Sequence, residues 1–318
     1  MGIGLAFCLE RLYQGAKYRN GFIASALFFL LYTFYSQVLS GVIAVVIVLG
    51  GLLFFVLWQR RQFIFLISSV LVLILGSTAL IYYLSQPVNY PIPCVEQYDE
   101  MESAWNLRST LNYDSLDKRK QPVASTLERY LSSKGLCANT KGVQTLTNKD
   151  IQFIETGFAD VHETYGGIQA RLLDIRYQLH HASNPSGHSI LERIEYWKNA
   201  WAIIENHWML GVGTGDVDDA MQEMYNKRQS PLTPERRLRA HNSYLTYYLT
   251  FGILGFLFFL FFQLKFIIQQ WKWQQRVGFL FGLIALVTFL FEDTLESQMG
   301  ITMFVFFYAV FSRKITSK

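Results

Sequence analysis

Long runs of uncharged, mostly apolar residues dominate both ends of the chain. Residues 21–59, 62–95 and 243–264 contain no Asp, Glu, Lys or Arg, and each run exceeds the roughly 20 residues that a helix needs to cross hydrocarbon. The pattern predicts an all-α, polytopic membrane helix bundle and excludes a soluble enzyme. We expect about six membrane helices, at 21–36, 40–58, 63–84, 243–264, 277–291 and 298–312.

The polar residues are concentrated in one segment, 85–241. It holds 17 of the 28 Lys and Arg, 20 of the 24 Asp and Glu, and all six His, so its formal charge is −3. The remaining basic residues flank apolar segments, and such flanks face the cytoplasm by the positive-inside rule. Six crossings then leave both termini in the cytoplasm and put 85–241 on the outer side, which is the periplasm of the inner membrane if the source is a Gram-negative bacterium.

This topology divides the chain into three parts. Residues 1–84 carry a cytoplasmic segment and three membrane helices, 85–241 form the outward segment, and 242–318 carry three more membrane helices. The overall charge of +4 then reflects membrane topology, so it indicates a lipid bilayer as partner and no nucleic acid.

Helical periodicity is uneven within the outward segment. The polar stretch after Pro93 predicts irregular or weakly helical structure, whereas residues 150–182 predict two helices broken near Gly166 and Gly167. An amphipathic helix begins at a capping-box sequence, Ser189 to Glu192. Its apolar stripe consists of Ile190, Ile194, Trp197, Trp201 and Ile204, and we expect the two Trp to pack against the bundle or the headgroup layer.

The three cysteines suggest at most one disulfide. Cys94 and Cys137 both lie in the outward segment, where an oxidising compartment allows a disulfide, but two separate thiols fit equally well. Cys8 is expected to be an unpaired thiol.

Three short sequences offer candidate chemistry at the outer membrane surface. The first, residues 207–216, places glycines at 211, 213 and 215. Backbone amides in such a turn can face an anion, but a helix C-cap followed by a turn is the alternative. A nucleotide site is not indicated, since no strand precedes the glycines and no Gly-Lys-Ser/Thr follows them.

The second sequence, residues 234–245, gathers three Arg and a His at the start of an apolar helix. Asn242 or Ser243 can cap that helix, and its free amides and positive dipole end would then lie beside Arg239 and His241. This arrangement suits a phosphate or diphosphate. Anchoring to lipid headgroups is the alternative.

The third sequence, residues 291–298, places acids between two short apolar runs. Acids near the hydrocarbon edge need partners, and we expect Glu292 and Glu296 to anchor outward Arg residues rather than to catalyse a reaction directly. A metal site is not indicated, because no His accompanies these acids.

Together these motifs resemble the signature of the O-antigen ligase family. Their order is Arg193-x-x-x-Trp197, then His207-x-x-x-Gly211-Val212-Gly213-x-Gly215, then His241-Asn242-x-x-Leu245 and Phe251-Gly252-Ile253-Leu254-Gly255. The segment from Glu292 to Glu296 also resembles one in bacteroidetal members. The resemblance is specific from about 189 to 300 and extends back to residue 21 by topology alone.

The resemblance implies a glycosyltransferase that takes a glycan from undecaprenyl diphosphate on the periplasmic face. The acceptor hydroxyl belongs to the lipid A core in ligases, to a growing glycan in polymerases, and to Ser or Thr in protein glycosyltransferases. The implied transfer inverts the anomeric centre and uses neither metal nor cofactor. Carried onto this chain, Arg193 and His241 are the catalytic residues, and the departing diphosphate is held by Arg193 and Arg239 with the amides of Gly211 and Gly213. Asn242, Glu292 and Glu296 support the site.

The chain also departs from the family pattern. An outer Ser-Arg pair of the family corresponds here to Ser36-Gln37, so the Arg is absent, and we expect Arg171 or Arg176 to replace it. Trp208 stands where the family has the Pro of its glycine turn. Members carry further membrane helices before the point where this chain starts, so a truncated, inactive fragment is one alternative. A transporter or sensor whose outward segment binds a ligand is the other.

Overall fold

The computed structural model describes residues 1–36, 38–87, 98–161, 167–180, 185 and 189–313, all helix, turn and loop apart from one isolated bridge. The chain divides into two compact units, one of residues 1–75 and 193–318 and the other of residues 76–192. Helices α1 to α4 span Gly2–Tyr13, Arg19–Ser36, Leu39–Gln59 and Phe63–Ser85. Helices α5 to α9 span Tyr98–Asn106, Val123–Ser133, Thr140–Thr145, Asn148–Glu155 and Gly167–His180. Helices α10 to α14 span Ser189–His207, Val217–Lys227, Ser243–Lys272, Arg276–Thr288 and Gln298–Phe311.

The all-α membrane fold predicted from the sequence is confirmed. Among the described residues, three helices are long and apolar enough to cross a membrane, namely Ser40–Gln59, Phe63–Ser85 and Ser243–Lys272. The helices Arg276–Thr288 and Gln298–Phe311 are apolar but shorter. The count of six crossings and the three-part division of the chain therefore stay predictions.

Helix α1 joins α2, α3 and α13 in one apolar core of the first unit. Leu5 and Ala6 of α1 are buried against Val48 of α3 and Leu280 of α13. Polar contacts close one end of this core, where Arg276 pairs with Glu10 at 3.3 Å. Cys8 is a free, buried thiol, as predicted.

A second core of the first unit lies among α10, α11 and the start of α12. It contains Tyr196, Ile203, Met221, Tyr225 and Leu249. The buried face of α10 is therefore rotated away from the predicted stripe. Trp197 packs at the edge of this core, whereas Trp201 stays 51% exposed.

The second unit contains a compact group of short helices, α5 to α8. Its core includes Trp105, Leu127, Tyr130 and Ile154, all fully or almost fully buried. The stretch after Pro93, predicted to be irregular or weakly helical, thus contains short, well-packed helices joined by loops in the part that the structure describes. Two helices within 150–182 are confirmed by α8 and α9.

Segment 85–241 contains two cysteines, Cys94 and Cys137. Cys137 is disulfide-bonded, while Cys94 lies outside the described residues, so their pairing stays a prediction.

Candidate functional site

The candidate site is built on the N-terminus of α12. Asn242 is the N-cap, and its side-chain oxygen accepts hydrogen bonds from the amides of Tyr244 and Leu245 at 3.0 and 3.1 Å. The amide of Ser243 donates to the carbonyl of Phe289 at 2.9 Å. The cap predicted from the sequence is confirmed, but the prediction that free amides here face a phosphate is wrong, because all three have acceptors within the protein.

The acidic segment between α13 and α14 folds onto this helix start. Asp293 accepts hydrogen bonds from the amide of Asn242 at 3.0 Å and from the hydroxyl of Thr246 at 2.7 Å. The hydroxyl of Ser243 donates to the carbonyl of Glu292 at 2.8 Å. These contacts therefore hold the backbone of Glu292 beside the start of α12.

Glu292 brings Arg193 and His241 together, although they are far apart in sequence. Arg193 Nη2 donates to Glu292 Oε1 at 2.9 Å, and His241 Nδ1 lies 3.7 Å from Glu292 Oε2. Arg193 Nε also donates to the carbonyl of Phe291 at 3.3 Å. The side chains are partly open to solvent, with 29% exposure for Arg193 and 35% for His241, so a substrate can reach both.

The backbone of His241 is held in a left-handed conformation, with φ of 47°. This conformation is strained for a residue with a side chain and persists only where the surroundings enforce it. On one side Trp197 Nε1 donates to the carbonyl of Ala240 at 2.9 Å, and on the other Asp293 holds the amide of Asn242. The ring of Tyr196 lies 5.6 Å from the imidazole. These contacts set the direction of the His241 side chain.

Arg239 forms a denser ionic cluster next to this site. Its guanidinium donates twice to Asp218, at 2.6 and 2.8 Å, and once to Glu296, at 2.7 Å. The hydrogen bonds with Asp218 raise the pKa of Arg239, and the same bonds lower the pKa of Asp218. Glu296 thus contacts an Arg, as the sequence suggests, and Arg239 links Asp218 of α11 to the segment before α14.

The glycine turn after α10 binds another helix instead of standing open. The amide of Gly211 donates to the carbonyl of His207 at 2.8 Å, and that of Gly213 donates to the carbonyl of Thr250 at 3.0 Å. The segment is therefore a helix C-cap followed by a turn, and neither of these two amides is free to bind an anion. The acceptor Thr250 precedes Gly252, where φ of 65° and ψ of −167° kink α12.

Arg176, one of the two residues expected to replace the missing family Arg, contacts the end of α4 in the second unit. Arg176 donates to the carbonyls of Gln86 and Pro87 at 2.9 and 3.0 Å, and its guanidinium lies 4.6 Å from the ring centre of Tyr83. It thus caps the end of α4. The side chain of Arg171 and all of Gln37 lie outside the described residues.

An apolar groove runs from the acidic segment down between α12 and α14. It has a volume of about 700 Å³, and its wall is almost entirely aromatic and aliphatic. Phe251 and Phe258 of α12 face Ile301 and Val305 of α14 across it, and Leu295, the neighbour of Glu296, lies at one end. The groove therefore offers an apolar chain a path that ends beside the ionic clusters.

Three further residues shape the site beyond those predicted from the sequence. Tyr196 is buried beneath His241, Asp218 holds Arg239, and Asp293 accepts the amide of the N-cap residue Asn242. Asp293 alone had a signal, since it lies within the acidic segment. Within the described ranges, no group of three or more His, Cys, Asp or Glu side chains has the arrangement of a metal site.

Comparison with known proteins adds one finding to this geometry. A family model described as O-antigen ligase matches residues 24–260. This range includes α10, the glycine turn, His241 and the kink of α12, and it ends before Glu292. No curated protein and no solved structure matches the chain significantly.

Proposed function

Because the chain belongs to the O-antigen ligase family of membrane proteins, we propose that it transfers a glycan from undecaprenyl diphosphate to an acceptor hydroxyl. The transfer takes place on the periplasmic face, with a sugar of the lipid A core or a related glycan as acceptor. It inverts the anomeric centre and needs no metal. Both termini lie in the cytoplasm, and residues 85–241 face the periplasm.

The observation that carries this proposal is the contact of one carboxylate with both Arg193 and His241. An inverting transfer needs a group that takes the proton of the acceptor hydroxyl and a cation that stabilises the departing diphosphate. Glu292 holds one candidate for each task at a single place. The acceptor attacks the anomeric carbon on the face opposite the departing diphosphate, so the substrate would lie between His241 and Arg193.

In the proposed step the acceptor oxygen attacks the anomeric carbon of the donor. The bond from that carbon to the diphosphate oxygen breaks, and its electron pair leaves with the diphosphate. His241 takes the hydroxyl proton on Nε2, since Nδ1 faces Glu292. Arg193 neutralises the charge that develops on the leaving group, which a guanidinium can do with two parallel hydrogen bonds.

Of the two Arg residues, Arg193 is the better ligand for the diphosphate. Its ion pair with Glu292 involves a half-exposed carboxylate, and such a pair is worth only about 0–1 kcal/mol. Arg239 is bound by the carboxylates of Asp218 and Glu296, so a phosphate would have to displace two acids there. We therefore assign direct contact with the diphosphate to Arg193 and a neighbouring, mainly positioning role to Arg239.

The apolar groove between α12 and α14 supports a lipid-linked donor. A polyprenyl chain is uncharged and apolar, and its burial is favourable by about 25 cal/mol for each Å² removed from water. Since Leu295, the neighbour of Glu296, lines the groove, a chain lying in it would present its diphosphate near the ionic clusters. The groove thereby fits the same donor that the Arg193 site fits.

The test is transfer by the complete protein in lipid nanodiscs, with undecaprenyl-diphosphate-linked glycan as donor and lipid A core as acceptor. We expect Arg193→Ala and His241→Gln each to lower kcat by about 10²–10³-fold, as loss of a transition-state hydrogen bond does elsewhere. Arg193→Lys should recover part of the rate, because it keeps the charge but not the paired geometry.

The matched control is His207→Gln, an exposed His at the end of α10 outside the site. It should transfer at the normal rate. Near-normal transfer by His241→Gln would contradict its assignment as the base. Movement of the lipid-linked glycan across the membrane without cleavage would favour a transporter instead.

A further inference from the structure

A second groove lies on the other side of Asn242, between α10 and the start of α12. It has a volume of about 620 Å³ and is open along one side, a size within the range of small-ligand sites, roughly 300–1,000 Å³. One wall is a face of α10 that includes Trp197, Trp201 and Glu205, and the other is formed by Asn242 and Leu245.

Trp201 forms a flat, apolar surface in this groove. Its side chain is 51% exposed, and its indole Nε1 donates to Glu205 Oε1 at 3.0 Å. Its ring meets the ring of Tyr248 edge-on at 6.4 Å. The indole is thus held in one orientation by contacts at its edges.

Asn242 supplies a buried polar group at the inner end of the groove. It is only 6% exposed, and its side-chain oxygen is occupied by the amides of Tyr244 and Leu245. Among the hydrogen bonds of the described residues none involves its side-chain nitrogen Nδ2. This nitrogen is not among the buried side-chain atoms that lack a partner, so it is open to the groove and can donate a hydrogen bond to a ligand or to water there.

The rim of the groove carries charges of both signs. Lys198 and Arg228 lie on the rim together with Glu205, whose carboxylate accepts one bond from Trp201 and has acceptor capacity left. A ligand that suits this wall therefore needs an apolar face for the indole and several groups that both donate and accept hydrogen bonds. A sugar ring has both, since its C–H face is apolar and its edge carries hydroxyls.

We propose that this groove binds a pyranose ring of the glycan substrate, stacked on Trp201 with hydroxyls bonded to Glu205 and to Asn242 Nδ2. The inference rests on the proposed function, because Asn242 directly follows His241 and the bound ring would lie next to the reacting hydroxyl or the transferred sugar. A lipid phosphate fits less well, since it could pair with Lys198 and Arg228 but has no apolar face to cover the exposed indole of Trp201. An acyl chain fits less well too, since it would leave Asn242 Nδ2 without an acceptor.

Direct binding of soluble glycans tests the proposal independently of transfer. The probes are core oligosaccharide freed from lipid A and the glycan released from the lipid-linked donor, each titrated by saturation-transfer NMR into the full chain in nanodiscs. We expect at least one to bind, and the one that binds identifies whether the groove takes the acceptor or the donor. Trp201→Ala should weaken that binding roughly tenfold, the upper range for loss of one aromatic contact, and Trp201→Phe should restore most of it.

Trp208→Ala is the matched control, because Trp208 is also 51% exposed but does not line the groove. It should bind the glycan like the unchanged protein. Binding of neither probe, or an equal loss in Trp201→Ala and Trp208→Ala, would overturn the proposal. If transfer is absent but glycan binding depends on Trp201, the groove proposal holds and the proposed function fails.

Discussion

Replacement of Gly252 by Ala tests the link between the glycine turn and the kinked helix. With φ of 65° and ψ of −167°, Gly252 occupies a backbone region that is essentially restricted to glycine. A Cβ atom at this position would lie 2.1 Å from the carbonyl oxygen of Met209 and 2.6 Å from the amide of Leu210. Because both neighbours are backbone atoms, the turn and the helix would have to separate.

The expected cost follows from the contacts that separation would break. Three hydrogen bonds join the turn to the kink, donated by Val212 to Leu249, by Gly213 to Thr250 and by Ile253 to Trp208. Each contributes about 0.5–1.5 kcal/mol, and the backbone strain adds about 1–3 kcal/mol. We therefore expect Gly252→Ala to lower the free energy of unfolding by about 3–7 kcal/mol.

Equilibrium unfolding in mixed detergent micelles measures this change, and Gly50→Ala is the matched control. Gly50 lies within α3, where a Cβ would meet nothing within 4 Å, so the control should be unchanged or up to about 1 kcal/mol more stable through helix propensity. Gly211→Ala places its Cβ 2.4 Å from the carbonyl oxygen of Thr250 and damages the same contact. The double variant should then cost little more than the worse single variant. A Gly252→Ala protein within about 0.5 kcal/mol of the original would refute the reasoning, since that is the size of an ordinary surface change.

Two further predictions concern topology and pH. Reporter fusions after residues 60, 150 and 270 should read cytoplasm, periplasm and cytoplasm, and a cytoplasmic signal at 150 would overturn the orientation proposed above. In α8, burial of Asp150 opposes its ionisation, but hydrogen bonds from Lys134, Thr147 and Tyr130 outweigh burial and lower its pKa. Since its pKa is lower in the folded than in the unfolded state, the unfolded chain binds more protons below about pH 4, so stability is lost as pH falls from there. Thermal unfolding between pH 7 and 3 should show this loss, and Asp150→Asn should be less stable at pH 7 with a weaker dependence on pH; an equally steep loss in that variant would contradict the assignment.

The sequence predicts helices and their ends well where the deciding residues are neighbours along the chain. Absence of charge over some 20 residues identifies α3, α4 and α12, because hydrocarbon tolerates no unpaired charge. The N-cap of α12 is also local, since an Asn oxygen reaches amides two and three residues ahead. Helices α5 to α7 lie in the stretch for which the sequence predicts only irregular or weakly helical structure, because its apolar residues are few. Met101, Ala104 and Trp105 do recur at helical spacing, and this period is the signal that identifies α5.

The role of the glycine turn could not be predicted, because a turn with open amides looks the same whether it binds an anion or another helix. The difference lies in its partners. The carbonyls of Leu249 and Thr250 are free to accept from the turn because Gly252 interrupts the helix after them. A glycine inside an apolar helix is a weak sign of a kink, and nothing in the sequence connects it to Gly213. Contacts across some 40 residues depend on the tertiary fold.

Electrostatics alone does not hold the candidate site together. The ion pair of Arg193 with Glu292 is partly exposed, so it contributes about 0–1 kcal/mol. By contrast, Ser243 and Asn242 make three hydrogen bonds to residues 289–293, and Asn242 and Ser243 are almost fully buried. Because these bonds hold the backbone at Glu292 regardless of the charge partners of its carboxylate, Arg193 can exchange that carboxylate for a diphosphate without loss of the surrounding structure. A site that keeps its geometry while one ion pair opens meets the requirement for binding and releasing an anionic leaving group in each turnover.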